Sequence, residues 1–195
     1  MTRRSATAPA ADEWGCSPGG EQTGKDAVTP WPPFPREIEA DPCAAALRAR
    51  LDAAAAPLWA RATTVVPCVR PDPPLVAALE RAARGGALVL GLEAATAALN
   101  AEEAGLAALA SRDGKERAER VSRVLVLAND GAERFYRAVE SLTRAHATRL
   151  LTCRLDAPAD ALGPWVLGRP ASVKAVLVQR KGAVSAVLRA IVGAA

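Results

Sequence analysis

From Leu75 onward, short apolar runs alternate with longer segments of helical periodicity. The clearest case is Ala87–Leu90, an apolar run that ends at Gly91 and precedes the Ala- and Leu-rich segment Leu92–Leu109. A run this short, followed by a glycine, predicts a buried strand that turns into a helix. The same pattern predicts strands at Arg123–Ala128, Arg149–Leu155 and Val173–Val178, and helices at Leu75–Arg84, Ala132–Ala147, Ala157–Leu162 and Ala183–Val192.

Strands that alternate with helices predict an α/β fold. We expect a three-layer α-β-α sandwich around a small mixed sheet of four or five strands, because each predicted strand has only about five or six residues. This α/β domain is predicted to span residues 75–195.

The first 74 residues are built differently. Residues 1–30 combine Gly, Pro, Ser and Thr with scattered charges, and they are predicted to be a disordered tail. Residues 31–74 are predicted to be an N-terminal extension with one helix, over residues 42–56, and a proline-rich linker that ends at Pro74. The helix prediction rests on Asp41 as a cap and Pro42 at the first helical position.

Two stretches of this extension have prolines at informative positions. Trp31–Pro35 is stiffened by three prolines, and its aromatic residues are expected to pack on the protein's own domain. Ala62–Val69 is rich in β-branched residues and is predicted to be extended, with Pro67 interrupting it.

Composition narrows the classes of function. The chain of 195 residues is 50% hydrophobic but only 4% aromatic, and its net charge of +4 fits a nucleic-acid partner without requiring one. Cys16, Cys43, Cys68 and Cys153 are widely spaced and His146 is the single histidine, so we expect no zinc site and a reducing compartment. We also expect no membrane span, because no apolar run reaches 18 residues. The phosphate-binding patterns G-x-x-x-x-G-K and G-x-G-x-x-G are absent.

Three places could carry chemistry. Gly91 could open an anion site at a helix N-terminus, although the local residues favour a simple strand-to-helix corner. Asp130 ends a predicted strand, where α/β enzymes place catalytic groups, but Asn129–Gly131 is also typical of a turn and helix cap, which we prefer. Arg169 and Lys174 flank the loop before the last strand, where they could contact phosphates.

Three landmarks resemble the kink-turn-binding ribosomal protein superfamily, over about residues 75–192. They are Leu79–Leu99 with its central strand and Gly91, the strand and polar turn at Arg123–Asp130, and the loop Leu162–Val173. The order of Trp31-Pro32, a short helix, a proline-rich linker, Gly91–Thr96 and Leu167–Pro170 is similar to the ribonuclease P/MRP protein subunits, especially the fungal ones.

This resemblance implies a non-catalytic RNA-binding subunit of a ribonucleoprotein that processes tRNA and rRNA precursors in the nucleus and nucleolus. Its partners would be a structured RNA, of the ribonuclease P/MRP type, and other protein subunits, with no cofactor. The RNA-binding residues it implies are Gly91, Leu92, Glu93, Thr96, Ala97, Gly168, Arg169, Pro170, Ala171 and Ser172.

The chain departs from the superfamily at the positions that usually carry Asn, Glu and a basic residue. Here they are Glu93, Ala94 and Ala97, and a carboxylate at this turn repels phosphate. RNA affinity is therefore expected to depend partly on neighbouring proteins. Three alternatives stay open: a ribosomal or small-nucleolar particle protein, a protein–protein adaptor that has lost RNA binding, and a small α/β enzyme that uses Asp130.

Overall fold

The computed structural model describes residues 31–113 and 119–193. The predicted tail, with Cys16, and residues 114–118 lie outside these ranges. The helices are α1 (Arg36–Glu39), α2 (Cys43–Ala53), α3 (Pro73–Arg84), α4 (Leu92–Asp113), α5 (Glu133–Ala145), α6 (Ala159–Leu167) and α7 (Lys181–Val192). The strands are β1 (Ala55–Pro57), β2 (Val65–Val69), β3 (Leu88–Leu90), β4 (Arg123–Leu127), β5 (Leu150–Leu155) and β6 (Ala175–Val178).

All six of these strands form one mixed sheet in the order β1-β2-β5-β4-β6-β3. Strands β2, β5 and β4 run parallel, while β1, β6 and β3 each pair antiparallel with a neighbour. This confirms the predicted α/β class, with one strand more than the four or five expected. The additional strand is β1, whose sequence Ala-Ala-Pro has neither an apolar run nor alternation.

Helices cover both faces of the sheet. Leu125 and Leu127 of β4 pack toward α4 and α5, in a cluster that includes Leu99 and Val139. The alternate residues of β4 face the other way, into a cluster built by the remaining helices. The molecule is therefore a three-layer sandwich.

The stretch before residue 75 belongs to this core. It contributes two helices and two strands of the same sheet. The sequence predicted one helix, a linker and the extended stretch Ala62–Val69, which contains β2. Phe34 is fully buried, and Trp31 is 7% exposed and donates its indole N–H to Asp52 Oδ1 at 2.7 Å. The carbonyl of Pro33 accepts a hydrogen bond from the amide of Val121 at 2.8 Å. Trp31–Pro35 thus packs on its own domain, as predicted.

A buried carboxylate holds the connection between β1 and β2. Glu140 of α5 is 7% exposed and accepts hydrogen bonds from the Trp59 indole at 3.1 Å and from the amides of Thr63 and Thr64 at 3.0 Å each. Burial by itself raises the pKa of Glu140, but these donated hydrogen bonds outweigh it and bring the pKa to about 2. The carboxylate therefore stays ionised near neutral pH and fixes this connection against α5.

Pro67 interrupts the sheet in a specific way. Strand β2 continues through Pro67 on the β1 side, but its parallel ladder with β5 has only the pairs Cys68↔Arg154 and Val69↔Leu155. The next step of that ladder needs an N–H donated from residue 67 to the carbonyl of Thr152, and proline has no N–H. The two strands part beyond this point and leave a cleft of about 280 Å³. We call it the β2–β5 cleft; it is lined by Trp31, Pro32, Thr63–Val66, Thr143, Arg144, Ala147 and Leu150–Thr152.

Candidate nucleic-acid interface

The pairing of β3 with β6 brings together parts of the two segments that the sequence implicated. Leu90 lies opposite Val176, and one residue further on the amide of Gly91 donates to the carbonyl of Ala175 at 2.9 Å. Gly91 leads into α4, and Ala175 ends the loop that follows α6. One end of the sheet therefore presents the N-terminus of α4 beside the end of this loop.

Gly91 makes the corner between β3 and α4. Its φ of +86° lies in the region that favours glycine, and its carbonyl accepts the first hydrogen bond of α4, from Ala95, at 3.1 Å. The amides of Leu92, Glu93 and Ala94 have no acceptor within the helix, so this end carries partial positive charge. The hydroxyl of Thr96 donates to the carbonyl of Leu92 at 2.8 Å, which closes the first turn.

The second segment is held along α6 by close backbone contact. The carbonyl oxygen of Ala171 lies beside Gly163, and the amide of Val173 donates to the carbonyl of Ala159 at 3.0 Å. Gly168 ends α6 with a φ of +66°. It lines a groove of about 370 Å³ between α3 and α6, together with residues that include Glu80, Arg84 and Trp165. The loop thus begins against α3 and ends beside Gly91.

All ten residues implicated by the resemblance reach the surface. The exposed ones are Glu93, Ala97, Gly168, Arg169, Pro170 and Ser172, and the others are partly buried. Lys174, next to Ala175, is exposed as well. Within the described parts of the chain, neither Arg169 nor Lys174 forms an ion pair. The two segments together therefore carry two cations without an ion pair, a helix N-terminus and one carboxylate, Glu93, and they meet at Gly91 and Ala175.

Asp130 has a structural partner. Its Oδ1 accepts a hydrogen bond from the amide of Ala159 at 3.1 Å, so it holds the first turn of α6. The sequence predicted a turn and cap here, but the helix that follows directly, α5, has no side-chain cap. The Tyr136 hydroxyl donates to the carbonyl of Ala128 at 2.8 Å and accepts from the amide of Gly131 at 3.1 Å. Burial raises the pKa of Tyr136, which keeps this hydroxyl protonated.

A second polar cluster lies at the opposite end of β4 and β5. Glu102 of α4 binds Arg123 at 2.9 Å and Arg149 at 2.6 Å. His146 is buried, with its Nε2 3.2 Å from Asn100 Oδ1. No local pattern of the sequence indicates that Glu102 joins the starts of two strands.

Over residues 31–113 and 119–193, no group of three or more His, Cys, Asp or Glu side chains could hold a metal ion. None of the helices in these ranges is long and apolar enough to cross a bilayer.

Comparison with known proteins gives only distant similarities. No model of a protein family matches the chain, and no curated protein matches it. A solved structure of a protein with unknown function from Bacillus halodurans C is similar at a TM-score of 0.41 and 15% identity, over 61% of this chain and 96% of that chain. The Giardia lamblia 15.5kD RNA binding protein is similar at a TM-score of 0.37 and 19% identity, over 62% and 82% respectively. These values assign neither a family nor a function.

Proposed function

We propose that the chain binds structured RNA at the end of the sheet where Gly91 meets Ala175. The observation that carries this proposal is the hydrogen bond between these two residues, at 2.9 Å. It fixes the free amides of α4 beside the end of the loop that carries Arg169 and Lys174. Backbone amides at a helix N-terminus and exposed cations are the groups that bind phosphates.

The shape of this surface suits RNA that departs from a regular duplex. Proteins recognise such RNA by contacting its single-stranded loops, its bulges and its sugar-phosphate backbone. Exposed Pro170 and Ser172 lie in the loop next to the cations, and the positive φ of Gly91 lets a ligand approach the backbone without meeting a side chain. Glu93 opposes phosphate at the same place, so the affinity of the isolated chain is expected to be modest.

Within this proposal, the more specific role is that of a non-catalytic subunit of a ribonucleoprotein of the ribonuclease P/MRP type. It is supported by the sequence resemblance, and it includes other protein subunits as partners and the nucleus and nucleolus as location. The sequence offers Asp130 as a candidate catalytic residue. One of its carboxylate oxygens accepts a hydrogen bond from α6, and this structural role favours a non-catalytic subunit.

The direct test measures affinity for two RNAs of equal length. One contains an internal loop with tandem sheared G·A pairs, and the other is a fully paired duplex. We expect tighter binding to the first RNA, by at least about tenfold, because regular A-form RNA offers mainly phosphate and minor-groove contacts. Equal affinity for both RNAs would exclude recognition of a kinked structure, and no binding to either would exclude RNA as a direct partner.

A charge variant locates the site. Replacing Arg169 and Lys174 together by Ala should weaken binding and reduce the slope of log affinity against log salt by about 1.5, since two phosphate contacts are lost. The control is Arg61→Ala, which removes one charge from an exposed arginine between β1 and β2, at the other edge of the sheet. If the control has half the effect of the double variant, the loss per charge is the same at both places, and net charge alone governs binding.

The particle assignment needs material from the native cell. A tagged full-length chain should recover one structured RNA together with tRNA- or rRNA-processing proteins. Ribosomal or small-nucleolar RNA would move the assignment to those particles. Recovery of proteins without RNA would support the adaptor alternative instead.

A further inference from the structure

The β2–β5 cleft has unpaired backbone on both walls. Alternate residues of a strand direct their N–H and C=O groups to the same neighbour. Because Asp156 donates to the carbonyl of Val69, the even-numbered residues of β5 face β2. Thr152 is one of these residues. The ladder between β2 and β5 begins only at the pair Cys68↔Arg154, so Thr152 has no paired residue on β2. Its backbone N–H and C=O therefore face the cleft without an acceptor or donor among the described residues.

Unpaired backbone groups are unusual at this level of burial. Thr152 is 2% exposed, and buried N–H and C=O groups in folded proteins are almost always paired. The facing wall, β2, presents Val65, which is 41% exposed and is one of only two large hydrophobic side chains exposed in the described parts of the chain. An occupant with an extended backbone and a small apolar side chain would satisfy both walls.

The chain itself supplies a candidate at the opening of the cleft. Trp31 and Pro32 line the cleft, and Trp31 is fixed there by its hydrogen bond to Asp52. The residues just before it are Ala27-Val28-Thr29-Pro30. Val and Thr suit extended pairing, and a segment joined directly to the site competes at a high effective concentration.

We propose that residues 27–29 of this chain occupy the β2–β5 cleft as a short strand that pairs with Thr152 and Val65. Pro67 creates the vacancy by withholding the hydrogen bond that would join β2 to β5, and Pro30 separates the inserted residues from the anchored Trp31. A seventh strand would then complete the sheet between β2 and β5. This proposal is independent of RNA binding.

Amide hydrogen exchange of the full-length chain, resolved by NMR, tests the proposal. The amide of Thr152 should exchange slowly in the wild type. Val28→Asp should speed its exchange by at least about tenfold, because burying a carboxylate carries a desolvation cost that burying valine does not. The amide of Cys153, which faces β4, is the internal reference and should not change. The matched control is Ala8→Asp, which adds the same charge much earlier in the sequence.

Pro67→Ala provides a second, opposite test. It restores the N–H that β2 lacks, so β2 can pair with β5 as far as Val65 and close the cleft. In this background, exchange at Thr152 should stay slow and should no longer respond to Val28→Asp. The proposal is overturned if Val28→Asp leaves exchange at Thr152 unchanged in the wild-type background. It is also overturned if slow exchange at Thr152 depends on protein concentration, which would identify a second copy as the occupant.

Discussion

The carbonyl oxygen of Ala171 lies 1.7 Å from the place where a Cβ on Gly163 would be. This contact lets the loop after α6 lie flat against the helix and return to the sheet at Ala175. It explains in physical terms why a Leu-Gly pair stands at this point of the sequence. The position of the loop that carries Arg169 and Lys174 depends on this contact, although Gly163 itself is buried.

Gly163→Ala should therefore destabilise the protein by about 3 kcal/mol, because the loop cannot move away from the helix without breaking the hydrogen bond from Val173 to Ala159. Urea denaturation measures the change. The control is Gly105→Ala in α4, where a Cβ meets nothing within 4 Å and helix propensity predicts stabilisation of about 0.5–1 kcal/mol. Equal stability of the two variants would contradict this account of the contact.

Glu140 makes stability depend on pH. Its pKa in the folded protein, about 2, is below its ordinary value of 4.5, so its contribution is complete above pH 4.5 and is lost as the pH falls toward 2. Glu140→Gln should cost about 2 kcal/mol at pH 7, since charge-assisted hydrogen bonds become neutral ones. The difference in unfolding free energy between wild type and variant should shrink on acidification. Glu133→Gln, an exposed site on the same helix, should show little difference at either pH.

The Tyr136 hydroxyl holds the turn that follows β4. Tyr136→Phe keeps the ring but leaves the carbonyl of Ala128 and the amide of Gly131 without this partner, so we expect a loss of about 1–2 kcal/mol in unfolding free energy. Ser111→Ala removes an exposed hydroxyl from α4 and serves as the control, with a change near zero. An equally small change for Tyr136→Phe would show that the turn is held by other contacts.

Glu93 should limit RNA affinity if RNA binds at the N-terminus of α4. Glu93→Gln removes the carboxylate and should tighten binding by about threefold to tenfold at low salt. Ala108→Lys changes the net charge by the same amount on an exposed part of α4, about four turns away. It should change the affinity much less. If both variants tighten binding equally, the overall charge of the protein explains the effect, and RNA does not contact the N-terminus of α4.

The main features of the sheet could be predicted because its strands are nearly all apolar and each is followed by a clear turn signal. β4 and β5 were found within a residue or two of their observed ends. β1 could not be found, since Ala-Ala-Pro becomes a strand only through pairing with β2. Pro67 was correctly expected to interrupt, but only the register shows that it interrupts one side of β2 and leaves the other intact.

The candidate sites differ in how much the sequence reveals. Gly91 and the loop after α6 stand out because of glycine, proline and charge, and the resemblance supplied their grouping. Glu140 gave a weak signal: an acidic residue four positions after Tyr136 and next to Val139, on the buried side of a helix. Its partners, at residues 59–64, lie too far along the chain for any local pattern to connect them.

The strand order also separates two surfaces. The β2–β5 cleft borders β5 at the start of that strand, whereas the Gly91 surface borders β6 at the end where β4 finishes. Strand β4 lies between them, and neighbouring strands are about 4.8 Å apart. RNA at one place and residues 27–29 of the chain at the other would share no backbone group. Substitutions that empty the cleft should therefore leave RNA affinity unchanged.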